Sequence, residues 1–252
     1  AIWTKKRIEA SLFTWAIKSK QCIGVITNSL GLKKSFSSVL KNNSVSVKVA
    51  ENGSKPVENN LLTEKINQRL QVGYFGSFFG GRGAGTIIDI ANAVPEFDFN
   101  VFGVSLDMVN KQGSYTIPIN LKFKGYVKHS EIDVHRAASN ILLAPYSAEV
   151  VSKAGEDTAP FLSPIKLFEY MSSNRAMIIT ALPTIKDILN DDMALFVEPN
   201  CSVQDWVDAL HKLREDSVRN KLGQRALDEF KNKYTWNHRA QKILELLTEA
   251  KK

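Results

Sequence analysis

The sequence predicts an α/β protein built on a doubly wound, Rossmann-like parallel sheet with a helical tail. From residue 71 onward, short apolar segments of strand length alternate with segments whose apolar residues have helical spacing. Such alternation implies a parallel sheet that helices cover on both faces. Because crossovers between parallel strands are right-handed, the sheet should be doubly wound. From Ser202 to the end of the chain, the apolar residues recur at helical spacing, which predicts the tail.

Shorter elements precede this regular region. Residues 2–19 have mainly helical spacing, and residues 22–27 form a short apolar segment typical of a buried strand. Asn28 and Ser29 can cap a helix that runs to about Leu40. Residues 44–49 alternate strictly and predict a second strand, while the polar, turn-rich residues 51–60 predict a linker.

In the regular region, predicted strands and helices follow one another along the chain. The strands are expected at residues 71–75, 97–102, 121–124, 140–144, 176–180 and 194–197. The helices are expected at residues 85–94, 130–138, 163–172 and 184–189. In an open sheet of this kind, a ligand binds beyond the carboxyl ends of the strands, where the strand order reverses. Candidate binding residues are therefore those that directly follow strands.

Composition and charge narrow the class of partner. Of the 252 residues, 44% are hydrophobic, which is ordinary for a soluble globular protein. The net charge is +7, but the basic residues are dispersed, and their densest cluster, Lys5-Lys6-Arg7, has no interleaved aromatic residues. We therefore expect no nucleic-acid partner. The charge fits equally well a weak attraction to an anionic membrane surface or to a phosphate-bearing ligand.

The cysteines and the apolar runs indicate the cellular compartment of the protein. Cys22 and Cys201 are far apart without metal-ligand spacing, which indicates a reducing compartment and no disulfide. The longest apolar run, residues 176–182, is much shorter than the roughly 20 residues that span a bilayer. We expect a cytoplasmic protein, in solution or peripherally associated with the inner face of the membrane. The chain opens on Ala1 with an abrupt amphipathic segment, which suggests a fragment.

A glycine-rich loop follows the first strand of the regular region. It carries five glycines between Gly76 and Gly85, so its backbone can approach a ligand closely, and Arg82 suits a phosphate. The glycines do not have the dinucleotide-binding spacing, and no acidic residue ends the next strand, which opposes a nicotinamide-dependent enzyme. The phosphate-binding Gly-Lys-Ser/Thr pattern is also missing. A flexible loop with an incidental arginine remains the alternative.

The segment that begins at Ser163 is the most informative in the chain. Ser163 is a good N-cap and Pro164 suits the first helical position, so a helix that begins here would point free N–H groups at an anion. Glu169 follows among the apolar residues Leu167, Phe168, Tyr170 and Met171. An anion-binding helix start together with a carboxylate that can accept from vicinal hydroxyls is what a sugar nucleotide requires.

Gly125, Tyr126 and Val127 follow a third strand and should join the same crevice. Their backbone and the tyrosine ring could hold a base by hydrogen bonds and stacking, although Tyr126 is also explained as a packed surface aromatic residue. The four histidines lack metal-ligand spacing and an obvious carboxylate partner, so we interpret them as surface residues and predict no metal site. They are His129, His135, His211 and His238.

Together these motifs resemble a known family. The segments are Val-Gly-Tyr-Phe-Gly-Ser at 72–77 with Gly-Arg-Gly at 81–83, Phe-Lys-Gly-Tyr-Val at 123–127, Ser-Pro-Ile-Lys-Leu-Phe-Glu-Tyr-Met at 163–171 and Thr-Ala-Leu-Pro-Thr at 180–184. In this order they resemble the donor-binding, carboxy-terminal half of a retaining glycosyltransferase of family 4, which has the GT-B fold. Tyr-Thr-Trp at 234–236 and the helix after it are similar to that family's ending. The resemblance covers about residues 70–250.

The resemblance implies a role for each site residue. It assigns Glu169 to the ribose hydroxyls, and Arg82 and Lys166 to charge stabilisation during catalysis. It implies that a loop and a helix start meet the diphosphate and the donor sugar, and that a third segment cradles the base. The residues of the loop are Gly76, Ser77, Gly81, Arg82 and Gly83, those of the helix start are Ser163, Pro164, Ile165 and Lys166, and those of the third segment are Gly125, Tyr126 and Val127.

Two positions depart from the family's pattern. Phe161 stands where the family has the first glutamate of a pair, and Ser77 stands where it has a phosphate-binding arginine. Relatives with the Ser-Pro-x-Lys-Leu-Phe-Glu variant also lack that glutamate, so Phe161 does not by itself imply inactivity, and Lys166 can supply the charge that Ser77 does not.

The resemblance implies that residues 1–55 are the remnant of an amino-terminal acceptor domain with its linker, and that residues 56–252 are the nucleotide-sugar-binding domain. The expected function is transfer of a sugar, with retention, from a nucleotide-diphosphate sugar to a glycan, lipid-linked or small-molecule acceptor in cell-surface polysaccharide or glycan assembly. No cofactor or metal is expected. We do expect a further component, either the missing acceptor half or a partner chain. The alternative is a non-catalytic nucleotide-sugar-binding module that regulates another transferase.

Overall fold

The computed structural model of the protein describes residues 11–12, 14–40, 45–58, 69–77, 84–111, 115–150, 155 and 157–249. Its strands are β1 (Val25–Thr27), β2 (Val47–Val49), β3 (Gln71–Phe75), β4 (Asp98–Phe102), β5 (Leu121–Gly125), β6 (Ile141–Ala144), β7 (Ala176–Thr180) and β8 (Leu195–Val197). Its helices are α1 (Leu30–Val39), α2 (Ala84–Ala93), α3 (Leu106–Asn110), α4 (His129–Ala137), α5 (Ile165–Met171), α6 (Pro183–Lys186), α7 (Val203–Lys212), α8 (Asp216–Lys233) and α9 (Trp236–Glu249).

The main sheet has six parallel strands in the order β5-β4-β3-β6-β7-β8. The chain therefore builds outward from β3 in one direction and then, after α4, from β6 in the other. This order confirms the predicted doubly wound, Rossmann-like sheet, and β3 and β6 mark the point where it reverses. β1 and β2 form a separate two-stranded parallel sheet. The division of the chain at residue 55 stays a prediction.

Each face of the sheet packs against its own set of helices. On one face, Val72 and Tyr74 of β3 join side chains from α2 and α7 in one hydrophobic core. On the other face, Phe75 of β3 and Leu142 of β6 join side chains from α5 and α8 in a second core. Alternate residues of a strand point to opposite faces, so a sheet that is covered on both sides requires the continuous apolar strands seen in the sequence.

The predicted strands and helices of the regular region form within one or two residues of the expected bounds, and α6 is shorter than expected. Sequence analysis missed α3, which Ser105 caps by accepting from the Met108 N–H. Ser29 caps α1 as predicted, through the Leu32 N–H. Of the predicted amino-terminal helix, residues 11–12 and 14–18 are helical, and residues 2–10 and 13 lie outside the described part of the chain.

The tail is helical as predicted, in the three helices α7, α8 and α9. The linker residue Ser54 forms an isolated parallel bridge with Thr235, which lies between α8 and α9. The segment before the main sheet therefore contacts the helical tail. Among the described helices, none combines the length and the hydropathy needed to cross a bilayer.

A buried tyrosine joins the two central strands. β3 and β6 are paired only through Val72 with Ile141 and Gly73 with Leu142. Beyond these pairs, the Tyr170 hydroxyl accepts from the Phe75 N–H at 3.0 Å and donates to the Leu143 carbonyl at 3.1 Å. Tyr170 is fully buried in α5, and desolvation raises the pKa of its phenol well above the usual value. The hydroxyl thus takes the place of the missing strand-to-strand hydrogen bonds where β3 and β6 diverge.

We predict that Tyr170→Phe lowers the free energy of unfolding by about 1–3 kcal/mol, because it leaves a buried N–H and a buried carbonyl unsatisfied. Urea denaturation measures the change. Tyr126→Phe is the matched control, since Tyr126 is 86% exposed and the same deletion at a surface site should change stability by no more than about 0.5 kcal/mol. Equal stability of the two variants would contradict the bridging role.

Candidate functional site

Three glycines with positive φ angles form a rim at the carboxyl ends of β3, β4 and β5. Gly76, Gly103 and Gly125 have φ angles of +147°, +91° and +66°. The Gly103 N–H donates to the Gly125 carbonyl at 2.8 Å, and the Gly125 N–H donates to the Val104 carbonyl at 3.0 Å. A Cβ atom at Gly103 would lie 2.9 Å from the Gly76 carbonyl oxygen. Only glycine fits such positions without strain, so the rim keeps backbone, rather than side chains, facing the crevice.

Lys166 brings the start of α5 to this rim. A Cβ atom on Gly76 would lie 2.8 Å from the Lys166 Nζ. The ammonium group lies 4.1 Å from the centre of the Tyr74 ring and 5.6 Å from that of Tyr146, distances at which cation–π attraction acts. The Tyr74 hydroxyl in turn donates to the Ser77 carbonyl at 3.1 Å. Two of the predicted segments, Gly76-Ser77 and the α5 start, therefore meet between β3 and β6.

The predicted N-cap and first residue of α5 are each wrong by one residue. Pro164, rather than Ser163, is the N-cap, and Ile165, rather than Pro164, begins the helix. The Pro164 carbonyl accepts from the Leu167 N–H at 3.0 Å and closes the first turn. Asn52 Nδ2 holds Ser163 outside the helix by donating to its carbonyl at 2.8 Å and to its Oγ at 3.3 Å. Sequence analysis missed Asn52, because its only signal is a place in a turn-rich linker.

Glu169 faces α4 and pairs with an arginine there. Its Oε2 lies 2.8 Å from Nη1 of Arg136, which also forms an ion pair with Asp133. The side chain of Glu169 is 21% exposed and that of Arg136 only 3%. A carboxylate at the edge of a buried cation is held in place and remains open to solvent on one side. Arg136 carries no motif, and sequence analysis missed it.

The third predicted segment ends β5. Tyr126 is exposed, which corrects its interpretation as a packed surface aromatic residue. Val127 is half-buried and lines a cavity of about 530 Å³ together with Lys124 and His135. The His135 ring lies 4.7 Å from the Phe102 ring, so the cavity runs beside α4 over the outer strands of the sheet.

Part of the predicted site is not described. Gly81, Arg82 and Gly83 lie outside the described residues. Ser77 is exposed at the mouth of the crevice. Phe161 is also exposed, in a short 3₁₀ turn (Ala159–Phe161) before α5, and its carbonyl accepts from Ser29 Oγ at 3.3 Å.

The remaining predicted features are histidines, cysteines and metal ligands. His211 has a carboxylate partner that the sequence did not indicate, Glu96, at 3.0 Å. Both cysteines are free and half-buried. In the part of the chain that the structure describes, no group of three or more histidine, cysteine or acidic side chains could hold a metal ion.

Comparison with known proteins gives the family. The sequence model of the glycosyl transferase-like family matches residues 85–245, well over half of the chain. The chain therefore belongs to this glycosyl transferase-like family. Among curated protein sequences, none matches it significantly.

Solved structures give the fold. Sucrose-phosphate synthase from Thermosynechococcus elongatus is 15% identical with a TM-score of 0.70, over 95% of this chain and 60% of that one. HepE from Anabaena, solved with UDP and glucose, is 16% identical with a TM-score of 0.67, over 89% of this chain and 62% of that one. The carboxy-terminal domain of LpcC, a group 1 family glycosyl transferase from Francisella tularensis, is 22% identical with a TM-score of 0.52, over 71% of this chain and 99% of that one.

These likenesses show the fold of a GT-B carboxy-terminal domain. The chain spans about three fifths of the length of the two larger structures.

We predict that Gly103→Ala lowers the free energy of unfolding by about 1–3 kcal/mol, the range for a strained backbone conformation. The added methyl group would meet the Gly76 carbonyl, which cannot move without disturbing the rim. Gly85→Ala in the first turn of α2 is the control, because nothing lies within 4 Å of its added Cβ, and alanine there should not lower stability, since it is the better helix former by up to about 1 kcal/mol. Urea denaturation that ranks the two variants the other way would contradict the close packing of the rim.

Proposed function

We propose that the protein is the donor-binding half of a retaining family 4 glycosyltransferase, which transfers a hexose-like sugar from a nucleotide-diphosphate sugar to an acceptor. One observation carries the proposal: the Lys166 ammonium lies against Gly76 between β3 and β6, where the strand order reverses. Open α/β sheets bind their ligands at this point. A cation beside exposed backbone at such a point suits a diphosphate, and membership of the glycosyl transferase-like family supports the reaction class.

The proposed chemistry is electrostatic and needs no metal or cofactor. As the bond from the anomeric carbon to the diphosphate oxygen breaks, negative charge grows on the diphosphate. The acceptor oxygen bonds to the same carbon from the same face, and its proton passes to the departing diphosphate oxygen. Lys166 and Arg82 would stabilise that charge, which is commonly the largest contribution to catalysis. The backbone at Gly76, Ser77, Gly81 and Gly83 would approach the phosphates from one side. Ser163, Pro164 and Ile165 would approach them and the sugar from the other side.

The nucleoside would lie between α4 and α5. Gly125, Tyr126 and Val127 would cradle the base, for which the exposed Tyr126 ring offers a stacking surface. Glu169 would accept from the ribose hydroxyls, because it faces α4 and remains partly open to solvent. For the identity of the donor's base and sugar, we rely on a precedent rather than on a contact in the crevice. That precedent is the HepE structure with UDP and glucose.

The acceptor would come from outside the donor half. We propose a glycan, lipid-linked or small-molecule acceptor in polysaccharide or glycan assembly. We also propose that the protein is cytoplasmic and works in solution or at the inner face of the membrane. An acceptor domain in the same chain or a partner chain would complete the active site. Asn52 supports this arrangement, since the chain before the main sheet already reaches Ser163.

A non-catalytic nucleotide-sugar-binding module is the second candidate. Phe161 favours it, because an exposed apolar side chain stands where the resembled family has a glutamate near the donor sugar. Both candidates bind the nucleotide, so only turnover separates them: release of nucleoside diphosphate from a nucleotide sugar in the presence of acceptor supports the enzyme.

We predict that Lys166→Met weakens nucleoside diphosphate binding by about tenfold or more, since hydrogen bonds to charged groups contribute about 1.5–3 kcal/mol. Calorimetric titration measures the change, and the affinity for the unphosphorylated nucleoside should not fall. The control is Lys233→Met, an exposed lysine that pairs with Glu229 on α8. Equal affinities of wild type and Lys166→Met for the diphosphate would remove the phosphate role.

We predict that Glu169→Gln lowers ribonucleotide affinity by about tenfold, because the hydrogen bonds from the ribose lose the charge of their acceptor. A 2′,3′-dideoxy nucleotide should bind the wild type weakly and respond little to the substitution. Titration of both ligands into both proteins makes the comparison. Equal losses for the two ligands would mean that Glu169 is structural.

A further inference from the structure

Arg136 is a charged side chain that the fold keeps almost fully out of water. It lies at the end of α4 and is 3% exposed. Asp133, one turn earlier on the same helix, pairs with its Nη2, and Glu169 of α5 lies 2.8 Å from its Nη1. The fully buried Tyr170 hydroxyl lies near enough for the arginine charge to oppose the rise in its pKa. Arg136 therefore pairs with two carboxylates, one from each helix.

The contact with Glu169 is ionic and incompletely hydrogen-bonded. Although Nη1 is 2.8 Å from the carboxylate, neither Nη1 nor Nε has an aligned hydrogen-bond acceptor, and both atoms are buried. A buried cation with unsatisfied donors lowers the stability of the fold. Without this cation, however, the carboxylates of Asp133 and Glu169 would repel each other. A contribution to the stability of the fold therefore does not explain this arrangement well. Its clear effect is to fix the position of the Glu169 carboxylate.

We propose that Arg136 is a positioning residue that holds Glu169 in the orientation needed to accept from the ribose hydroxyls. The inference rests on the proposed function, since it assigns to Arg136 the specificity of that site for a ribonucleotide. Arg136 does not touch the ligand, because its donors are buried behind Glu169. A carboxylate offers about four lone-pair sites, so one oxygen can face the arginine while the group still accepts from two hydroxyls. Holding the glutamate in one rotamer removes the freedom that ribose binding would otherwise have to restrict.

The test measures ribose discrimination by the 252-residue chain. The probes are UDP, GDP and ADP, each with its 2′,3′-dideoxy counterpart, and calorimetry gives the ratio of the two dissociation constants. Wild-type protein should favour the ribonucleotide of at least one pair by about tenfold or more. Arg136→Met should reduce that ratio by about threefold or more, the lower range for directly coupled residues. Arg136→Lys keeps the charge but lacks the planar guanidinium that presents separate nitrogens to the two carboxylates, so it should retain part of the ratio.

Arg219 provides a matched control. It is 5% exposed, pairs with Asp216 one turn earlier on its own helix, α8, and donates from Nη1 to the carbonyls of Leu213 and Arg214. Arg219→Met therefore removes a similarly buried arginine that also pairs with an aspartate one turn earlier, away from the crevice. It should cost stability, measured by urea denaturation, and leave the discrimination ratio unchanged.

A double-mutant cycle shows whether Arg136 acts through Glu169. In the Glu169→Gln background, Arg136→Met should change the ratio no further, because the carboxylate that it positions is gone. Additive losses would overturn the inference, and so would wild-type ratios in both Arg136→Met and Arg136→Lys. If Arg136→Met does not fold, Arg136→Lys alone decides between a reduced and an unchanged ratio. Wild-type protein that binds none of the probes would instead overturn the proposed function.

Discussion

The hydrogen bonds of Tyr170 hold the site together. β3 and β6 part after two residue pairs, and a parallel sheet that opens in this way leaves backbone groups without partners in a region that water does not reach. The Tyr170 hydroxyl satisfies one group on each strand while its ring anchors α5 in the core of one face. The crevice where the strand order reverses can therefore be open at the carboxyl ends of β3 and β6, while the backbone groups beneath it are hydrogen-bonded. The bridge adds a directional contact to the burial of Leu167, Phe168 and Met171, which packs α5 against the strands.

Once α5 is fixed, its two functional side chains reach opposite sides of the crevice. Lys166, one turn before Tyr170, points to the glycine rim at Gly76, and Glu169 points to α4, where Arg136 fixes it. The rim itself presents backbone rather than side chains, since Gly103 and Gly125 tolerate no Cβ without strain. Asn52 holds the segment before α5 from the other direction. The Lys166 ammonium, the backbone of the glycine rim and the Glu169 carboxylate thus converge on one opening.

Local patterns in the sequence predict most of the fold and only part of the site. Continuous apolar strands and helical spacing report burial directly, which is why β3 and β7 form at the predicted residues. The place of Gly76 directly after β3 predicted its position at the edge of the sheet, because topology alone brings strand ends together, whereas Lys166 was predicted from the family resemblance. Arg136 and Asn52 act through contacts 33 and 111 residues away along the chain (169 − 136 and 163 − 52). No local pattern signals such contacts. The start of α5 was misplaced for the same reason, since Asn52 holds Ser163 outside the helix.

The central claim is that a nucleoside diphosphate occupies the opening between β3 and β6. Hydrogen–deuterium exchange of the chain, with and without saturating UDP, GDP or ADP, tests it most directly, because it follows the backbone at every site at once. The account predicts slower exchange at Gly76 and Gly103, at residues 125–127 and at residues 165–169, with α8 and α9 unchanged. Protection confined to the tail helices α7, α8 and α9, or equal exchange everywhere despite measured binding, would contradict it.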